Sequence, residues 1–381
     1  RRYPNRDWTN MTESHHYKRY SSKIVKEALL DTPVVFIMGA RQSGKTTLVK
    51  SLTNKNWRFI NLDDQTQLNL IKEDPIGFIK TLTDDHIAID EIQRLPELLL
   101  AIKQSVDNNR KPGRFLLTGS ANALVLPKVS DSLAGRIESV LLSPLSECEI
   151  NNTKPSFLST ILNAKAPTKI KNIVDKKYLS QRLVTGCFPE PLQRKTKQRT
   201  KAWYKQYIHS LIQKDVKELD HIDHPEKMLK LLKLTAYYSA KLVNFTEIGT
   251  KINLNDITTK KYIQLIEQLF LLKQLPAWHS NEYKRLIKTP KLHLSDTGLA
   301  CTVRDIDEAY LASHPREIGF LLETFVINEL QKQAAWLDQD TSFYHYRDKD
   351  KIEVDCIIEN ARGDCFAIEV KASATLQPTD F

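Results

Sequence analysis

The chain has 381 residues, of which 41% are hydrophobic and 27% are charged. These near-average fractions exclude a disordered or fibrous protein, and the length is sufficient for two or three domains at about 150 residues per domain. Lys and Arg (56) outnumber Asp and Glu (46), so the net charge of +10 suits contact with a phosphate polymer or an anionic surface.

Two further features limit the class of protein. The longest apolar run, Val34–Met38, is far shorter than the roughly 20 residues of a membrane span, so no membrane partner is expected. The five cysteines are scattered and lack CxxC spacing, which predicts reduced thiols and a cytoplasmic location. Residues 1–10, which precede Met11, are interpreted as a processing remnant and are left out of the fold prediction.

A phosphate-binding loop is predicted after the first strand. The apolar run 33–38 is followed by the pattern G-x-x-x-x-G-K-T and then by a helical segment. The glycines allow backbone N–H groups to face phosphate oxygens at a helix N-terminus, while Lys45 neutralises β/γ charge and Thr46 ligates Mg²⁺. The predicted nucleotide-binding residues of this loop are Gly39, Ala40, Arg41, Gln42, Ser43, Gly44, Lys45, Thr46 and Thr47.

A second strand is predicted at Trp57–Leu62, and the later apolar strand His86–Asp90 ends in Asp90 and is followed directly by Glu91. We expect Asp90 to hold the Mg²⁺ through water and Glu91 to polarise the attacking water. The next strand ends in Thr118 and Ser120, either of which is a candidate sensor of the γ-phosphate; an ordinary polar strand end is the alternative.

Arg136 precedes the last strand of this region. It is interpreted either as an arginine finger that reaches a neighbouring subunit of a homo-oligomer, or as an ion-paired surface arginine.

The region 168–219 has a helical, basic pattern that predicts a lid packed on the ATPase core. Its charge run is interpreted as a solvated face rather than a nucleic-acid groove. The run consists of Lys195, Lys197, Arg199 and Lys201.

Three helical periods follow, at 228–239, 244–252 and from 256 onward. A short second helix, a turn and a longer third helix match the recognition half of a helix-turn-helix. The third helix carries Thr258, Thr259, Lys260 and Lys261 near its N-terminus, and the segment 275–294 resembles a basic wing with Lys284, Arg285, Lys288 and Lys291. DNA binding and a protein-contact or lid role both remain open.

The last seventy residues contain a possible metal site. A helix at 316–333 carries Glu323, and strands are predicted at 343–347, 352–358 and 365–371. Because alternate side chains of a strand share a face, Glu353 lies beside Asp355 on one strand, and Glu369 lies beside Lys371 on another. Asp355 and Glu369, at the edges of these two adjacent strands, could chelate Mg²⁺. Lys371 would then orient water, and Glu323 would complete the site from the helix. An ordinary half-exposed strand pair with alternating charges is the alternative.

With these motifs in place, the chain from about Tyr17 to its end resembles a large, mostly uncharacterised bacterial and archaeal family of AAA+ P-loop ATPases with a C-terminal domain of unassigned function. The resemblance is carried by ordered blocks, among them GARQSGKTTL, AIDEIQ, LLTGSAN, LAGRI, GCFPE, RLIKTPKLHLSDTGLA, LLETFVINEL, YHYRDKDKIEVD and AIEVKAS. It implies that the C-terminal segment is similar to the PD-(D/E)xK nuclease fold of archaeal Holliday-junction resolvases. Two departures weaken this implication: no Pro precedes Asp355, and the chain ends at Phe381, where relatives continue into another helix.

The expected fold class is therefore α/β, with an AAA+ P-loop core built on a parallel sheet at 17–150 and a helical lid at 151–222. A winged helix-turn-helix at 223–300 and a small α/β restriction-endonuclease-like domain at 310–381 follow.

The expected function is hydrolysis of ATP with Mg²⁺, binding of DNA, and cleavage of DNA by the C-terminal domain. The alternative is a nucleotide-gated switch that binds DNA or protein and whose C-terminal domain is not catalytic. The expected catalytic residues are Lys45, Glu91, Arg136, Glu323, Asp355, Glu369 and Lys371, and the expected metal ligands are Thr46, Asp90, Asp355 and Glu369.

Overall fold

A computed structural model describes residues 17–82, 86–120, 133–165, 174–215 and 225–372. It divides the chain into two compact units, residues 18–145 and the chain from residue 146 onward. The boundary lies five residues before the predicted one at 150. Residues 1–10, Ala121 and Asn122 of the LLTGSAN block, part of the predicted lid and residues 373–381 of the predicted nuclease-like domain lie outside the described residues.

The first unit is built on a five-stranded parallel sheet of order β2-β3-β4-β1-β5. The strands are β1 (Val34–Met38), β2 (Trp57–Asn61), β3 (His86–Asp90), β4 (Phe115–Gly119) and β5 (Ile137–Leu141). The helices are α1 (Ser21–Asp31), α2 (Lys45–Leu52), α3 (Gln65–Glu73), α4 (Pro75–Thr81) and α5 (Leu98–Asn108). The predicted strands of this region are thus confirmed.

Both faces of this sheet are covered. Val34 and Phe36 of β1 pack into a core on one face, and Val35 and Ile37 pack into a second core on the other. This explains why β1 is a continuous apolar run, because a parallel strand buried on both faces has no solvent side. The parallel arrangement also brings the C-terminal ends of β1, β3 and β4 to one edge of the sheet, where the phosphate-binding loop begins.

The second unit begins with short helices and one long basic helix. They are α6 (Glu147–Ile150), α7 (Phe157–Leu162), α8 (Lys176–Thr185), α9 (Pro189–Leu192) and α10 (Lys197–Ser210), which continues as a π-helix over Leu211–Asp215. Helices α8 and α10 pack against α15 (Thr297–Val303) of the same unit. Packing of these helices on the ATPase core, as expected of a lid, stays a prediction.

The middle of this unit alternates helices with a three-stranded antiparallel sheet of order β6-β8-β7. Its elements in chain order are α11 (Pro225–Tyr237), β6 (Lys241–Leu242), α12 (Phe245–Lys251), α13 (Asp256–Gln268), β7 (Leu272–Leu275), α14 (Glu282–Ile287) and β8 (Lys291–Leu294). The three predicted helices are confirmed. Asn244 is the N-cap of α12, because its side chain accepts the backbone N–H groups of Thr246 and Glu247.

The predicted basic wing is wrong for two of its four residues. Lys291 lies in β8 with only 1% of its side chain exposed. Arg285 is bound by Glu359 at 2.6 Å and packs over the rings of Trp278 and Tyr344. Likewise, Thr259 of the predicted recognition helix is fully buried, because it lies on the face of α13 that packs inward.

The chain then forms α16 (Glu308–Ser313) and α17 (Pro315–Ala334), followed by an antiparallel sheet of order β11-β10-β9. The strands are β9 (Thr341–Arg347), β10 (Glu353–Asn360) and β11 (Cys365–Ile368). Phe366 and Ile368 pack on a core that includes Ile327 and Leu330 of α17, as the predicted alternation requires. Strand β11 ends at Ile368, so Glu369 and Lys371 lie just beyond it rather than within it.

None of the described helices is both long enough and apolar enough to cross a membrane.

Candidate functional site

The loop between β1 and α2 has the tight backbone expected of a phosphate-binding loop. Gly39 and Gly44 have φ values of 155° and 99°, and Gly44 is the N-cap of α2. A Cβ atom at Gly39 would lie 2.2 Å from the carbonyl oxygen of Leu142, so the loop has no room for a side chain there. Gln42 also has a left-handed φ, of 59°. The loop therefore presents its backbone at the start of a helix, where anions bind.

Two side chains of the loop fit an anionic ligand. Lys45 is 4% exposed, and its ammonium donates to the carbonyl oxygens of Gly39 at 3.1 Å and Ala40 at 3.0 Å. Ser43 is fully buried, and its hydroxyl oxygen has no hydrogen-bond partner among the described residues. A buried hydroxyl without a partner is costly, and a phosphate oxygen would satisfy it.

Asp90 connects the end of β3 to the loop. The Thr46 hydroxyl donates to Asp90 Oδ2 at 2.8 Å, so the two predicted Mg²⁺ residues are in contact. The Thr118 hydroxyl, from the end of β4, donates to Asp90 Oδ1 and accepts the backbone N–H of Glu91 at 3.0 Å. Thr118 is fully buried. It is therefore placed to orient Asp90 and Glu91 together, a role that differs from the two that the sequence suggested, a phosphate sensor or an ordinary polar strand end.

Glu91 has a left-handed backbone, with φ of 59°. For a residue with a Cβ this conformation costs free energy and is often found at functional positions. The Gln93 amide donates to a carboxylate oxygen of Glu91 and, at 2.9 Å, to the hydroxyl of Ser120. Gln93 thus links the predicted water activator to the predicted sensor Ser120.

A second cluster lies in the C-terminal part of the chain, where the structure brings the four predicted residues close together. Asp355 Oδ2 accepts the backbone N–H of Val370 at 2.9 Å, and Glu369 Oε2 accepts the backbone N–H of Asp355 at 3.4 Å. Glu369 is in turn ion-paired with Lys371 at 2.9 Å. Glu323 faces this strand pair from α17, because Glu323 and Asp355 contact the same ammonium group.

That ammonium belongs to Lys291, and it was not predicted at this position. Its Nζ lies 2.9 Å from Glu323 Oε1, 2.5 Å from Glu353 Oε1 and 3.5 Å from Asp355 Oδ1. Burial lowers the pKa of Lys291, but the carboxylates of Glu323 and Glu353 outweigh burial and raise the pKa to about 12. Lys291 is therefore a charged group at neutral pH.

The predicted Mg²⁺ site does not fit this arrangement. Glu323 is already ion-paired with Lys291, and burial raises its pKa against the lowering effect of that ammonium. Asp355 shares the Lys291 ammonium, and both oxygens of Glu369 have partners of their own. Among the described residues, no group of three His, Cys, Asp or Glu side chains is arranged to hold a metal ion.

Comparison with known proteins finds a similarity for most of the first unit. The family model described as "AAA domain" matches residues 31–151. Residues 31–151 are therefore similar to an AAA domain, and this segment is called the AAA domain below. Two models without a functional description match the remainder: "Domain of unknown function (DUF8612)" over residues 176–310 and "Domain of unknown function (DUF4143)" over residues 318–381.

The chain is also similar to two uncharacterized proteins over most of its length. It is 26% identical over 359 residues to the uncharacterized protein Rv2008c of Mycobacterium tuberculosis, covering 94% of this chain and 74% of the relative. It is 24% identical over 360 residues to the uncharacterized protein MJ1544 of Methanocaldococcus jannaschii, covering 87% and 73%. Among solved structures, the RuvB Holliday junction branch migration motor of Thermotoga maritima covers 71% of this chain and 95% of its own, at 16% identity. Its TM-score of 0.31 is too low to carry an argument about this chain.

Arg136 lies far from the phosphate-binding loop of its own AAA domain. Its carbonyl accepts the backbone N–H of Val34, at the N-terminal end of β1, whereas the loop follows the C-terminal end. A five-residue strand separates these edges by roughly 16 Å. The Arg136 guanidinium is ion-paired with Asp107 at 2.5 Å. Of the two predicted roles, the ion-paired arginine is therefore observed, and action on a neighbouring subunit stays a prediction.

Sequence reasoning did not assign a role to Gln93 of the AAA domain or to Arg19, which precedes that domain in the same compact unit. The Arg19 guanidinium donates to the carbonyl oxygens of Ser43 at 2.7 Å and Ser143 at 2.6 Å, and so supports the phosphate-binding loop from behind. Gln93 lies in the AIDEIQ block, which could have indicated it. Arg19 lies 24 residues before the loop residue it contacts, and no local pattern predicts that contact.

Proposed function

We propose that the AAA domain binds ATP with Mg²⁺ and hydrolyses it. The observation that carries this proposal is the contact of 2.8 Å between Thr46 and Asp90 at the mouth of the phosphate-binding loop, with Glu91 next in the chain. In P-loop enzymes, Mg²⁺ is bound at a site formed by a hydroxyl group at the start of a helix and a carboxylate at the end of a strand.

The residues of the loop bind and orient the phosphates. Lys45, which donates to two loop carbonyls, would exchange these weaker acceptors for phosphate oxygens. The Ser43 hydroxyl and the backbone N–H groups at the start of α2 would add neutral donors. When bound, Mg²⁺ would neutralise charge on the β- and γ-phosphate oxygens.

Glu91 is the residue best placed to activate water. Its carboxylate is steered by the Gln93 amide, and its backbone is fixed by Thr118, so both ends of the residue are oriented. General-base groups of this kind contribute typically about 100- to 10,000-fold to a rate. The AAA domain therefore separates phosphate binding, centred on Lys45, from water activation, centred on Glu91.

Two variants test this division, in parallel assays of nucleotide affinity and phosphate release. Lys45→Ala is expected to lose nucleotide binding. Glu91→Gln is expected to bind ATP as the parent does but to turn over at least about 100-fold more slowly. Lys50→Ala is the matched control, because Lys50 is an exposed lysine on the same helix. Unchanged turnover in Glu91→Gln would refute the proposal.

We further propose that the segment 225–294 binds DNA. Its elements follow the order helix, strand, helix, helix, strand, strand, apart from the short α14, with the three strands forming one antiparallel sheet. This order is typical of winged helix-turn-helix modules. Lys260 and Lys261 at the start of α13 are exposed, as phosphate-contacting residues must be.

The DNA proposal is tested by the salt dependence of affinity for duplex DNA. The double variant Lys260→Glu/Lys261→Glu is expected to weaken binding and to reduce the slope of log K against log salt by about two. The control is Lys230→Glu/Lys233→Glu, which changes two exposed lysines of α11 by the same charge. Equal losses in both double variants would indicate a non-specific charge effect. Negligible binding by the parent at physiological salt would instead favour a protein partner.

Cleavage of DNA by the C-terminal domain stays a prediction. It requires the parent to cleave labelled linear, branched or single-stranded DNA with Mg²⁺ or Mn²⁺, and Asp355→Ala and Lys371→Ala to abolish that cleavage.

A further inference from the structure

We propose that the Lys291 ammonium occupies the place of a metal ion in the C-terminal carboxylate cluster. It thereby prevents a divalent metal ion from binding there. The carboxylate cluster consists of Glu323, Glu353 and Asp355, which all contact the Lys291 ammonium. In a metal-dependent site, carboxylates from a helix and a strand converge on a metal ion. Here they converge on a lysine that comes from a third element, β8.

The position of Lys291 excludes simultaneous occupation by a metal ion. Its Nζ is within 3.5 Å of one oxygen from each of the three carboxylates. Oxygen ligands bind Mg²⁺ at about 2.0–2.1 Å, so an ion shared by these same oxygens would lie close to the ammonium. Two cations at such a separation in a buried region repel strongly, because little water screens them. The ammonium and the metal ion are therefore alternatives.

The charge balance favours a cation at this place. Three carboxylates surround one ammonium, and Glu323 and Asp355 are nearly buried. The loss of one partner from a buried ion pair strongly destabilises a protein, because the remaining charge has no compensation. Removal of Lys291 would leave the three carboxylates without this cation and would raise their affinity for a positive ion. Glu353 also contacts the guanidinium of Arg347 at 3.6 Å, but the Arg347 side chain is 36% exposed, whereas that of Lys291 is 1% exposed.

The lysine belongs to a different part of the fold from the carboxylates. Lys291 pairs through its backbone with Leu242 of β6 and Leu275 of β7, in the sheet of the proposed DNA-binding segment. The carboxylates belong to α17 and β10. Withdrawal of the ammonium therefore needs a change of the Lys291 side chain or a shift of β8, and either change would couple the two segments.

The neighbouring strand provides a matched control. Lys273 of β7 is half-buried, but its ammonium donates to the neutral amide oxygen of Gln331 at 2.8 Å. Lys273→Met therefore removes a lysine of the same sheet without removing the cation of a carboxylate cluster.

The test is Mn²⁺ binding to the full chain without nucleotide, measured from the EPR signal of free Mn²⁺. Lys291→Met is expected to gain one Mn²⁺ site at least about ten-fold tighter than any site of the parent. The gained site is expected to be absent from Lys291→Met/Asp355→Asn and from Lys273→Met. It is also expected to persist in Lys291→Met/Asp90→Asn, which separates it from the metal residues of the AAA domain. The outcome does not depend on whether the AAA domain hydrolyses ATP.

Folding of the variant is followed by circular dichroism and thermal unfolding. Mn²⁺ is expected to raise the unfolding temperature of Lys291→Met and of the milder Lys291→Gln, but not of Lys273→Met. A parent that binds Mn²⁺ as tightly as Lys291→Met, with the site lost in Asp355→Asn, would overturn the proposal. Folded Lys291→Met and Lys291→Gln proteins without a new site would also overturn it. Variants that stay unfolded at high Mn²⁺ count against it too, because a metal that replaces the ammonium should restore the fold.

Discussion

Replacement of Thr118 by valine is expected to impair both the stability and the turnover of the AAA domain. Valine has nearly the shape of threonine but lacks the hydroxyl group. That hydroxyl donates to Asp90 and accepts the backbone N–H of Glu91, in a fully buried position. Thr118→Val therefore removes two hydrogen bonds without creating a large cavity, and it leaves the N–H group of Glu91 without its acceptor.

The size of the effect follows from these two contacts. A hydrogen bond to a charged group contributes about 1.5–3 kcal/mol, and a buried donor left without a partner costs about 1–3 kcal/mol. We therefore expect a loss of about 3 kcal/mol in the free energy of unfolding, or roughly 10 °C in unfolding temperature for a unit of this size. Because Asp90 and Glu91 lose a shared support, turnover is expected to fall by about 10- to 100-fold.

Calorimetry and a steady-state phosphate-release assay measure the two effects. Thr118→Ser is the control, since serine keeps the hydroxyl and should preserve most of the stability and turnover. If Thr118→Val unfolds within 2 °C of the parent (about the shift expected of ~0.5 kcal/mol) and hydrolyses ATP at the parental rate, the coupling of Asp90 and Glu91 through Thr118 is refuted.

Three further predictions concern other contacts. Gln93→Leu is expected to reduce turnover at least about ten-fold with unchanged ATP affinity, because Glu91 loses its amide donor; equal changes in affinity and turnover would contradict this. Arg19→Lys, which cannot bridge two carbonyls in the same way, is expected to weaken binding of a fluorescent ATP analogue about ten-fold, whereas Lys18→Arg should not. Burial and the nearby Lys291 lower the pKa of His293 to about 3, so the folded protein binds fewer protons than the unfolded chain below pH 6.5. Stability should therefore fall as the pH drops, by about 2 kcal/mol at pH 5 from this group, and urea unfolding of His293→Gln should show a smaller loss.

Much of the AAA domain could be predicted from the sequence because its signals are local. A glycine at each end of the loop, a lysine and a threonine at the helix start, and carboxylates at a strand end all lie within a few residues of one another. The geometry of such a site follows from backbone conformation and strand direction, as Gly39 and Asp90 illustrate. The helices and strands of the C-terminal part were also largely predictable, since hydrophobic periodicity reports which face is buried.

Only the tertiary structure decided which distant side chains meet. Arg19 contacts a residue of the phosphate-binding loop that lies 24 positions further along the chain, and Lys291 contacts Glu323, 32 positions further along. No periodic pattern in the sequence predicts either contact. The sequence by itself determined an AAA-type loop and a set of acidic residues in the C-terminal part of the chain. It could not determine that a lysine expected on an exposed wing would be buried among those carboxylates. The physical reason is that the packing of a strand determines where its charged side chain lies. The elements that pack against that strand then determine which ionic partners the side chain contacts.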